Sequence, residues 1–450
     1  MTDMTAAQLI DRGRGLLLSR TGIVIATVGF GLFMRLLGTV VLSRLLDAEA
    51  YGIVGIMTSV TIIIAMVSDI GVAAFAIRHE DGDDPTFLDQ IWTLRLVRSV
   101  VLAIVVILLS LPIAHFVGKP QLAPVIACGS MTFLFDGLSS LANVTSPRNQ
   151  TIAMLSVMDM LCGLFQFAVS LVLALEFRSY WALIAAIFLA QALRIVLSYA
   201  MFKNSRRRWN WSFDRAKELM VFARYITGST MLTLLISQSD KLIMGKLFTL
   251  EGFGIYMLAS SLAASFTPLA SQYQQRVAYP KFAAAFRERP EELKHVFYHV
   301  RRWQTMGYMF ILGGFVGSAF LIIKALYDPR YIGAAPILTL LACAPLFLLN
   351  NQATNDVMIA RGKSSFTFWT NLVRVTWLAV AGVAGYFAFG VIGVVGAVGS
   401  VEFVAQLYGW FRLRQIGFLD WRYELQFLGA ASAGFILGTL GSALLAPLIK

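Results

Sequence analysis

The sequence predicts an all-α polytopic membrane protein of about 13 transmembrane helices, and three observations support this fold class. Hydrophobic residues make up 58% of the 450 residues and charged residues only 14%, with a mean hydropathy of +0.72. Apolar runs of about 20 residues, each long enough to cross a bilayer core, recur along the whole chain. A turn in the first half is repeated almost half the chain away. This composition excludes an ordinary soluble domain.

The predicted helices follow from hydropathy and from the turn signals between apolar runs. The first apolar run, from Thr21, is longer than the hydrophobic region of a signal peptide, so we expect an uncleaved first helix. Six helices fall in the first half, at about 21–46, 50–77, 91–117, 122–143, 152–175 and 180–202. Six more are expected at about 219–248, 252–275, 303–327, 334–360, 366–389 and 391–411, and a last one at about 425–448.

Basic residues alternate between successive loops and thereby predict the orientation. Three arginines precede the first helix, and the connections 203–217 and 276–302, the latter containing Arg301, hold many of the other bases. Such an excess is typical of cytoplasmic loops, so we expect a cytoplasmic N-terminus in a bacterial inner membrane. The net charge of +12 is then a topology signal. These bases contact lipid phosphates, and nucleic acid is not expected as a partner.

The repeated turn indicates an internal duplication. Residues 44–56 read R-L-L-D-A-E-A-Y-G-I-V-G-I, and residues 246–258 read K-L-F-T-L-E-G-F-G-I-Y-M-L. Matched turns between long apolar stretches are typical of transporters built from two repeats. We therefore predict two six-helix lobes, related by a pseudo-two-fold axis around a central cavity. The predicted domains are an N-terminal lobe at 1–205, a C-terminal lobe at 206–415 and an additional helix in 416–450.

Charged side chains lie deep within several predicted spans, where each costs about 2.5–3.5 kcal/mol when it faces lipid. The five most central are Arg35, Asp159, Arg194, Arg374 and Glu402. They must face one another or a water-filled cavity. Snorkelling to the membrane surface is the alternative, and Lys241 lies close enough to a surface to do so. Bases within a span suit an anionic ligand, and the planar guanidinium of arginine makes bidentate bonds to a diphosphate.

The carboxylates within the spans are candidates for ion coupling. A charged carboxylate is costly at this depth, so Asp159 and Glu402 are expected to bind a proton or a cation such as Na⁺. Asp240 is a third candidate, and pairing with a neighbour at helical spacing is its alternative interpretation.

Amide side chains cluster near the ends of the eighth and tenth predicted helices. The candidates among them are Gln272, Asn351 and Asn355. Amides at helical spacing suit the hydroxyl groups of a glycan, because each amide both donates and accepts hydrogen bonds. The same residues serve helix–helix hydrogen bonding in membranes, and the sequence leaves the two interpretations equal.

Motifs for catalysis and ATP hydrolysis are absent from the sequence. Gly362-Lys363-Ser364 resembles the end of a P-loop, but Val357 occupies the position of its first glycine. Asp81-Gly82-Asp83 precedes Pro85, where acidic residues favour a helix N-terminus over a metal site. No predicted outer loop is large enough to hold an active site. We therefore predict no catalytic residue, no metal site and no cofactor, with H⁺ or Na⁺ as a coupling ion.

Several segments resemble one known family. R-L-L-D-A-E-A-Y-G-I is followed by S-D-I-G-V-A-A-F-A-I-R at 68–78, and Q-S-D-K-L-I-M-G-K-L-F-T-L-E-G-F-G-I-Y occupies 238–256. V-A-Y-P-K-F begins at Val277, and M-I-A-R-G-K begins at Met358. Together they resemble the polysaccharide-transporter branch of the multidrug/oligosaccharidyl-lipid/polysaccharide exporter superfamily. The resemblance covers most of the chain, and its motifs specify the branch better than the cargo.

The resemblance implies a flippase of the O-antigen type, which moves undecaprenyl-diphosphate-linked oligosaccharides from the cytoplasmic to the periplasmic leaflet. Family members carry basic headgroup contacts on the first and seventh helices, where Arg35 and Lys241 stand in this chain. Arg194 and Arg374 join them as diphosphate contacts on the burial argument alone. The implied partners are the lipid-linked oligosaccharide, membrane lipids, a polysaccharide polymerase and glycosyltransferases. The odd helix count departs from the family's even one.

Three other functions stay open at this point. A small-molecule cation antiporter of the multidrug branch would favour carboxylates in its cavity, whereas bases are at least as numerous within these spans. A non-transporting scaffold in a polysaccharide assembly complex is disfavoured by the cost of the charges within the spans. A peptidoglycan-precursor flippase is not separable by sequence from a flippase for O-antigen, capsule or exopolysaccharide.

Overall fold

The computed structural model describes residues 20–148, 151–202, 205–363 and 365–448. Within these ranges every regular element is a helix, which confirms the predicted all-α class. The chain divides into two compact units, the first ending at Met231 and the second beginning at Leu232. That division falls inside a helix of 35 residues. The lobe boundaries expected from the duplication, after residues 205 and 415, and the central cavity stay predictions.

The described part of the first unit contains nine α-helices and the start of a tenth, with one short 3₁₀ helix at Pro120–Leu122. They are α1 (Arg20–Leu45), α2 (Ala48–Val67), α3 (Val72–Arg78), α4 (Pro85–Phe116), α5 (Ala123–Cys128), α6 (Ser130–Leu138), α7 (Ala142–Arg148), α8 (Ile152–Phe177), α9 (Tyr180–Ala200) and α10 (Phe213–Leu247). Asp84 begins α4, because its side chain accepts a hydrogen bond from the Phe87 amide at 2.9 Å and proline follows at the first helical position. Ser179 caps α9, where its hydroxyl accepts a longer hydrogen bond of 3.5 Å from the Trp181 amide.

The second unit continues α10 and adds ten described α-helices, besides short 3₁₀ and π segments. They are α11 (Leu250–Ala263), α12 (Thr267–Tyr273), α13 (Tyr279–Glu288), α14 (Leu293–Gly317), α15 (Ala319–Leu326), α16 (Ala334–Leu341), α17 (Cys343–Ala360), α18 (Ser365–Phe389), α19 (Val391–Gln415) and α20 (Trp421–Leu445). Phe282, Phe297, Trp410 and Phe427 form part of a buried core that joins α13, α14, α19 and α20. This core holds the helices on which the candidate site is built.

Ten helical stretches of the described chain are long and apolar enough to cross a membrane, which shows a polytopic membrane protein. An eleventh results if Pro290–Gly317 and Ala319–Leu326, bent by 62° at their junction, form one span. The predicted spans 21–46 and 219–248 lie in α1 and α10, two helices outside this set. The count of about 13 helices expected from run length is therefore not confirmed.

Helices α14 and α20 approach each other backbone to backbone. A Cβ atom on Gly434 would lie 2.0 Å from the Phe310 carbonyl oxygen, and one on Gly313 would lie 2.1 Å from the Ala431 carbonyl oxygen. Helices can approach this closely in a membrane only where glycine or another small residue faces the partner helix. The contact therefore fixes α20 against α14 over several turns.

We expect Gly434→Ala to destabilise the protein by about 1–3 kcal/mol, because a main-chain oxygen cannot rotate away from the new methyl group. Gly441→Ala, on the same helix, is the matched control, since nothing lies within 4 Å of its Cβ position. That control is expected to stabilise the helix by up to about 1 kcal/mol. Thermal unfolding midpoints in one detergent compare the two variants. Equal midpoints would contradict the close approach.

Candidate functional site

The candidate site is built on a helical hairpin in the second unit. Helices α18 and α19 are joined at Gly390, whose φ of +65° and ψ of −146° are conformations that residues with a Cβ rarely adopt. Just beyond the turn, a Cβ on Gly393 would lie 2.1 Å from the Gly385 carbonyl oxygen. The two helices therefore touch along their backbones. This contact sets the register in which their side chains meet.

Arg374 and Glu402 form an ion pair across this hairpin. Arg374 Nη2 donates to Glu402 Oε2 at 2.7 Å, and the two side chains are only 15% and 11% exposed. One turn further along α18, Trp377 Nε1 donates to Ser400 Oγ at 3.0 Å. The structure thus brings together a residue predicted for diphosphate binding and a residue predicted for ion coupling.

Two amides complete the Arg374–Glu402 cluster, which we define as Asn351, Asn371, Arg374 and Glu402. Asn351 on α17 donates from Nδ2 to Glu402 Oε2 at 2.6 Å and to the Glu402 carbonyl oxygen at 2.8 Å. Asn371 Oδ1 accepts a hydrogen bond from Arg374 Nη1 at 2.9 Å. Asn351, predicted for glycan binding, therefore contacts the ion pair directly. Asn371 was not singled out from sequence, although it precedes Arg374 by three residues on the same helix face.

The Arg374–Glu402 pair limits what either side chain can bind. A guanidinium already paired with a carboxylate has little net charge to offer a second anion. A diphosphate can bind Arg374 fully only when Glu402 moves away or is neutralised by a proton or a cation, because a buried charge left unpaired is costly. Occupancy at Arg374 and occupancy at Glu402 are therefore linked, and that linkage is reciprocal.

An apolar cavity of about 390 Å³ lies on the same hairpin, next to the cluster. Its lining includes Trp377, Gly385, Phe389, Gly396 and Ser400. Trp377 follows Arg374 by three residues, so the cavity begins about one turn from the ion pair. Its lining is mostly apolar, which suits a hydrocarbon chain better than a sugar.

Gln406 lies one turn after Glu402 on α19 and is completely buried. Within the described parts of the chain, neither its Oε1 nor its Nε2 atom has a hydrogen-bonding partner. Burial of an unpaired amide costs about 2–7 kcal/mol, and such groups in proteins usually bind ordered water. Sequence reasoning missed Gln406, because a single glutamine in an apolar run is also typical of helix packing in membranes.

A second ion pair in this unit is more deeply buried. Arg301 Nη1 donates to Glu424 Oε1 at 3.1 Å, and the side chains are 2% and 0% exposed. Arg301 Nη2 also donates to Asn350 Oδ1 at 3.0 Å, and Trp410 Nε1 donates to Glu424 Oε2 at 2.9 Å. The sequence interpretation placed Arg301 in the cytoplasmic connection 276–302. The structure instead buries it in α14, where it joins α20 to α14, α17 and α19.

Asp240 and Lys241 lie on α10 and have separate partners. The Tyr256 hydroxyl donates to Asp240 Oδ2 at 2.5 Å, and Asp240 Oδ1 is buried with no hydrogen-bonding partner among the described residues. Lys241 Nζ donates to the Ser237 carbonyl oxygen at 3.0 Å and to Gln238 Oε1 at 2.9 Å. Lys241 therefore folds back onto its own helix. Its role in diphosphate binding and the role of Asp240 in ion coupling stay predictions.

The two remaining glycan candidates lie outside the Arg374–Glu402 cluster. Asn355 Oδ1 accepts a hydrogen bond from Thr367 Oγ1 at 2.6 Å, which joins α17 to α18. Gln272 is half-buried on α12. Among the described residues, no hydrogen bond connects either amide to the cluster. Glycan binding by these two residues stays a prediction.

Asp159 and Arg194 form an ion pair in the first unit. Arg194 Nη2 and Asp159 Oδ1, on α9 and α8, lie 2.8 Å apart, with side chains 35% and 49% exposed. Half-exposed charges within a span must face water or lipid headgroups, because contact with hydrocarbon is too costly. Arg35 is exposed on α1. The functional roles assigned to these three residues stay predictions.

Comparison with known sequences gives one family. The family model described as "Polysaccharide biosynthesis protein" matches residues 41–336. The succinoglycan biosynthesis transport protein ExoT of Rhizobium meliloti is 23% identical over 377 residues, which cover 83% of this chain and 74% of ExoT. The teichuronic acid biosynthesis protein TuaB of Bacillus subtilis is 21% identical over 313 residues, which cover 69% of this chain and 64% of TuaB. The amylovoran biosynthesis protein AmsL of Erwinia amylovora is 24% identical over 290 residues, which cover 63% of this chain and 73% of AmsL.

Comparison with solved structures gives a transporter fold. The lipid II flippase MurJ in an inward closed conformation superposes with a TM-score of 0.71 at 11% identity, covering 95% of this chain and 99% of MurJ. An inward-facing multidrug-resistance MATE transporter superposes with a TM-score of 0.62 at 15% identity, covering 88% of this chain and 98% of the MATE transporter. At these identities the likeness shows the fold alone.

Proposed function

This chain belongs to the polysaccharide biosynthesis protein family, and from that membership we propose that it flips an undecaprenyl-diphosphate-linked oligosaccharide from the cytoplasmic to the periplasmic leaflet. The family and the fold are those of transporters and not of enzymes. The relatives are named for succinoglycan, teichuronic acid and amylovoran biosynthesis, which supports a glycan cargo. The proposed site of action is the bacterial inner membrane, with a polysaccharide polymerase and glycosyltransferases as neighbouring partners.

The observation that carries this proposal is the buried Arg374–Glu402 pair. A diphosphate brings two negative charges and a set of oxygens that match the planar fork of arginine. When the diphosphate takes Arg374, the carboxylate of Glu402 loses its counter-charge and binds a proton or a cation instead. Arg374 therefore exchanges its carboxylate partner for the diphosphate, and Glu402 takes up a coupling ion in the same event. The neighbouring apolar cavity would accept a prenyl segment of the carrier lipid.

The membrane potential favours export of such a cargo. Two negative charges that move outward across an inside-negative membrane gain roughly 4.6 kcal/mol per 100 mV. Arg35, Arg194 and Lys241 are proposed as further diphosphate contacts along the path, and Gln272 and Asn355 as glycan contacts.

A cation antiporter is the second candidate function. Asp240 favours it, because this buried carboxylate has one oxygen without a hydrogen-bonding partner among the described residues. A cationic substrate would satisfy that oxygen at a low cost. The positively charged Arg374 at the other candidate site is the observation against it.

The test is reconstitution into proteoliposomes with a fluorescent undecaprenyl-diphosphate oligosaccharide, scored by access of an external glycosidase. We expect translocation that increases with an imposed pH or Na⁺ gradient and is lost in Arg374→Ala. Arg412→Ala is the control, since Arg412 bonds only Gln415 near the end of α19 among the described residues. Translocation of lipid II without translocation of the oligosaccharide would show that the cargo is a peptidoglycan precursor. Efflux of a cationic dye with neither lipid moved would support the antiporter.

A further inference from the structure

A sharp bend separates α15 from the end of α20. Up to Gly317 the helices α14 and α20 pack backbone to backbone, and a Cβ on Gly317 would lie 2.3 Å from the Phe435 carbonyl oxygen. The chain then bends by 62° between Gly317 and Ala319, and α15 continues in a new direction. Helix α20 runs on to Leu445. A wedge-shaped space therefore opens between α15 and the last two turns of α20.

A cavity of about 530 Å³ occupies this wedge. Phe320 and Lys324 line it from α15, and Thr439, Ser442 and Ala443 line it from α20. Ligand sites in proteins typically have volumes of about 300–1,000 Å³ and a mostly apolar lining with a few polar groups. The cavity therefore has the size and the composition of a binding site for a largely apolar molecule.

The side chains around the cavity face lipid. Phe320 at its edge is 46% exposed, and Leu440 and Leu444 on α20 are 54% and 72% exposed. Exposed apolar side chains of a membrane span contact the hydrocarbon of the bilayer. A wedge that opens to hydrocarbon is filled by a lipid chain, because the atoms that line an empty wedge would lose their van der Waals contacts.

Lys324 places a positive charge at the wide end of the wedge. It lies seven residues, or about 10 Å, beyond Gly317 along α15. Its Nζ donates to the Ala446 carbonyl oxygen at 2.7 Å, just beyond the end of α20, where the helix dipole favours a cation. An ammonium has three donors, so two remain for a ligand. None of the residues that line the cavity is acidic, so this charge is not neutralised within it.

We propose that the wedge binds one anionic phospholipid, with an acyl chain against Phe320 and Ala443 and the phosphate on Lys324. Helices α15 and α20 both end at the face predicted to be periplasmic, so the lipid belongs to the periplasmic leaflet. A zwitterionic phospholipid carries an ammonium of its own, which Lys324 repels. The site shares no residue with the Arg374–Glu402 cluster or with the cavity beside it, so it does not depend on the proposed function.

The first test measures the charge preference of the site. The full-length protein is stripped of lipid in detergent and mixed with phosphatidylglycerol or phosphatidylcholine, and native mass spectrometry counts the retained lipids. We expect the wild type to retain one phosphatidylglycerol, and Lys324→Gln to bind it at least about fivefold more weakly, because one positive charge is lost. Glutamine can still donate to the Ala446 carbonyl oxygen, so the contact between the helices is kept. Lys324→Arg keeps the charge and should retain the lipid.

Lys294→Gln is the matched control for the charge. Lys294 Nζ likewise donates to a carbonyl oxygen, that of Gly417 at 2.9 Å, and Lys294 is not among the residues that line the cavity. This control is expected to retain phosphatidylglycerol as the wild type does. Equal retention of the two phospholipids by the wild type, or wild-type affinity in Lys324→Gln, would overturn the inference.

The second test fills the wedge. Ala443→Phe introduces a ring at an exposed position of the lining, and we expect it to abolish retention of the phospholipid. Leu444→Phe makes a similar change at the next residue, which does not line the cavity, and should match the wild type. Unchanged retention in Ala443→Phe would contradict the proposed chain position.

A competition experiment identifies the source of the lipid phosphate. Undecaprenyl phosphate is added to the wild type at the same concentration as phosphatidylglycerol. We expect the phosphatidylglycerol to stay bound. Its displacement would assign the wedge to a prenyl carrier lipid and overturn the assignment to a phospholipid.

Discussion

Replacement of Arg374 by alanine is expected to reduce glycan translocation by about 100-fold or more and to destabilise the protein by about 3–5 kcal/mol. The stability effect arises because Glu402 is left charged, buried and without its guanidinium partner. The transport effect arises because the guanidinium beside the apolar cavity of the hairpin is lost. Glycosidase-accessible product and the thermal unfolding midpoint measure the two effects on the same preparation.

A double variant separates the two effects. Arg374→Met combined with Glu402→Leu replaces the pair by apolar side chains of similar length, and such replacements are often neutral or stabilising. We expect this double variant to fold as well as the wild type and to remain inactive in translocation. Glycan export at the wild-type rate by the folded double variant would show that the pair is structural and has no part in transport.

Replacement of Glu424 by alanine is expected to destabilise the protein by about 3–5 kcal/mol. Arg301 is 2% exposed, so the variant would leave a charged guanidinium in the core with Asn350 as its nearest polar partner. Half-lives in detergent at several temperatures measure the loss. Arg302→Ala is the matched control, because the adjacent arginine is exposed and stacks on Trp303. That control should change stability by less than about 1 kcal/mol.

The Glu424 prediction has an internal check. Arg301→Met with Glu424→Leu removes both charges and keeps the volume, so the double variant should recover most of the lost stability. A double variant as unstable as Glu424→Ala would mean that packing of the α14–α20 contact, and not the unpaired charge, sets the loss.

The helices were predictable where one apolar run corresponds to one helix. The expected spans 366–389 and 391–411 agree with α18 and α19 within a few residues, because membrane thickness sets the length of such helices. The expected span 122–143 corresponds to the candidate span Pro120–Leu138, which ends five residues earlier than expected, and a separate short helix, α7, follows from Ala142. Hydropathy does not locate such an end, which depends on how the backbone packs.

The site was predictable in its residue types and not in its pairings. The cost of a charge within a span required partners for Arg374 and Glu402. The sequence did not identify them as each other's partner, because that depends on the register set at Gly385 and Gly393. Arg301 escaped detection for a different reason. It stands in a basic run that looks like a cytoplasmic loop, and its partner Glu424 lies 123 residues further along the chain.

That separation also has a consequence for synthesis of the protein. When the ribosome has made α14, the carboxylate that neutralises Arg301 has not yet been translated. At about 5–20 residues per second, Glu424 follows roughly 6–25 seconds later. Until then Arg301 must stay near the membrane surface or be sheltered by the insertion machinery, because hydrocarbon rejects a lone guanidinium. The second unit therefore reaches its final packing only after the last described helix has entered the bilayer, late in biogenesis.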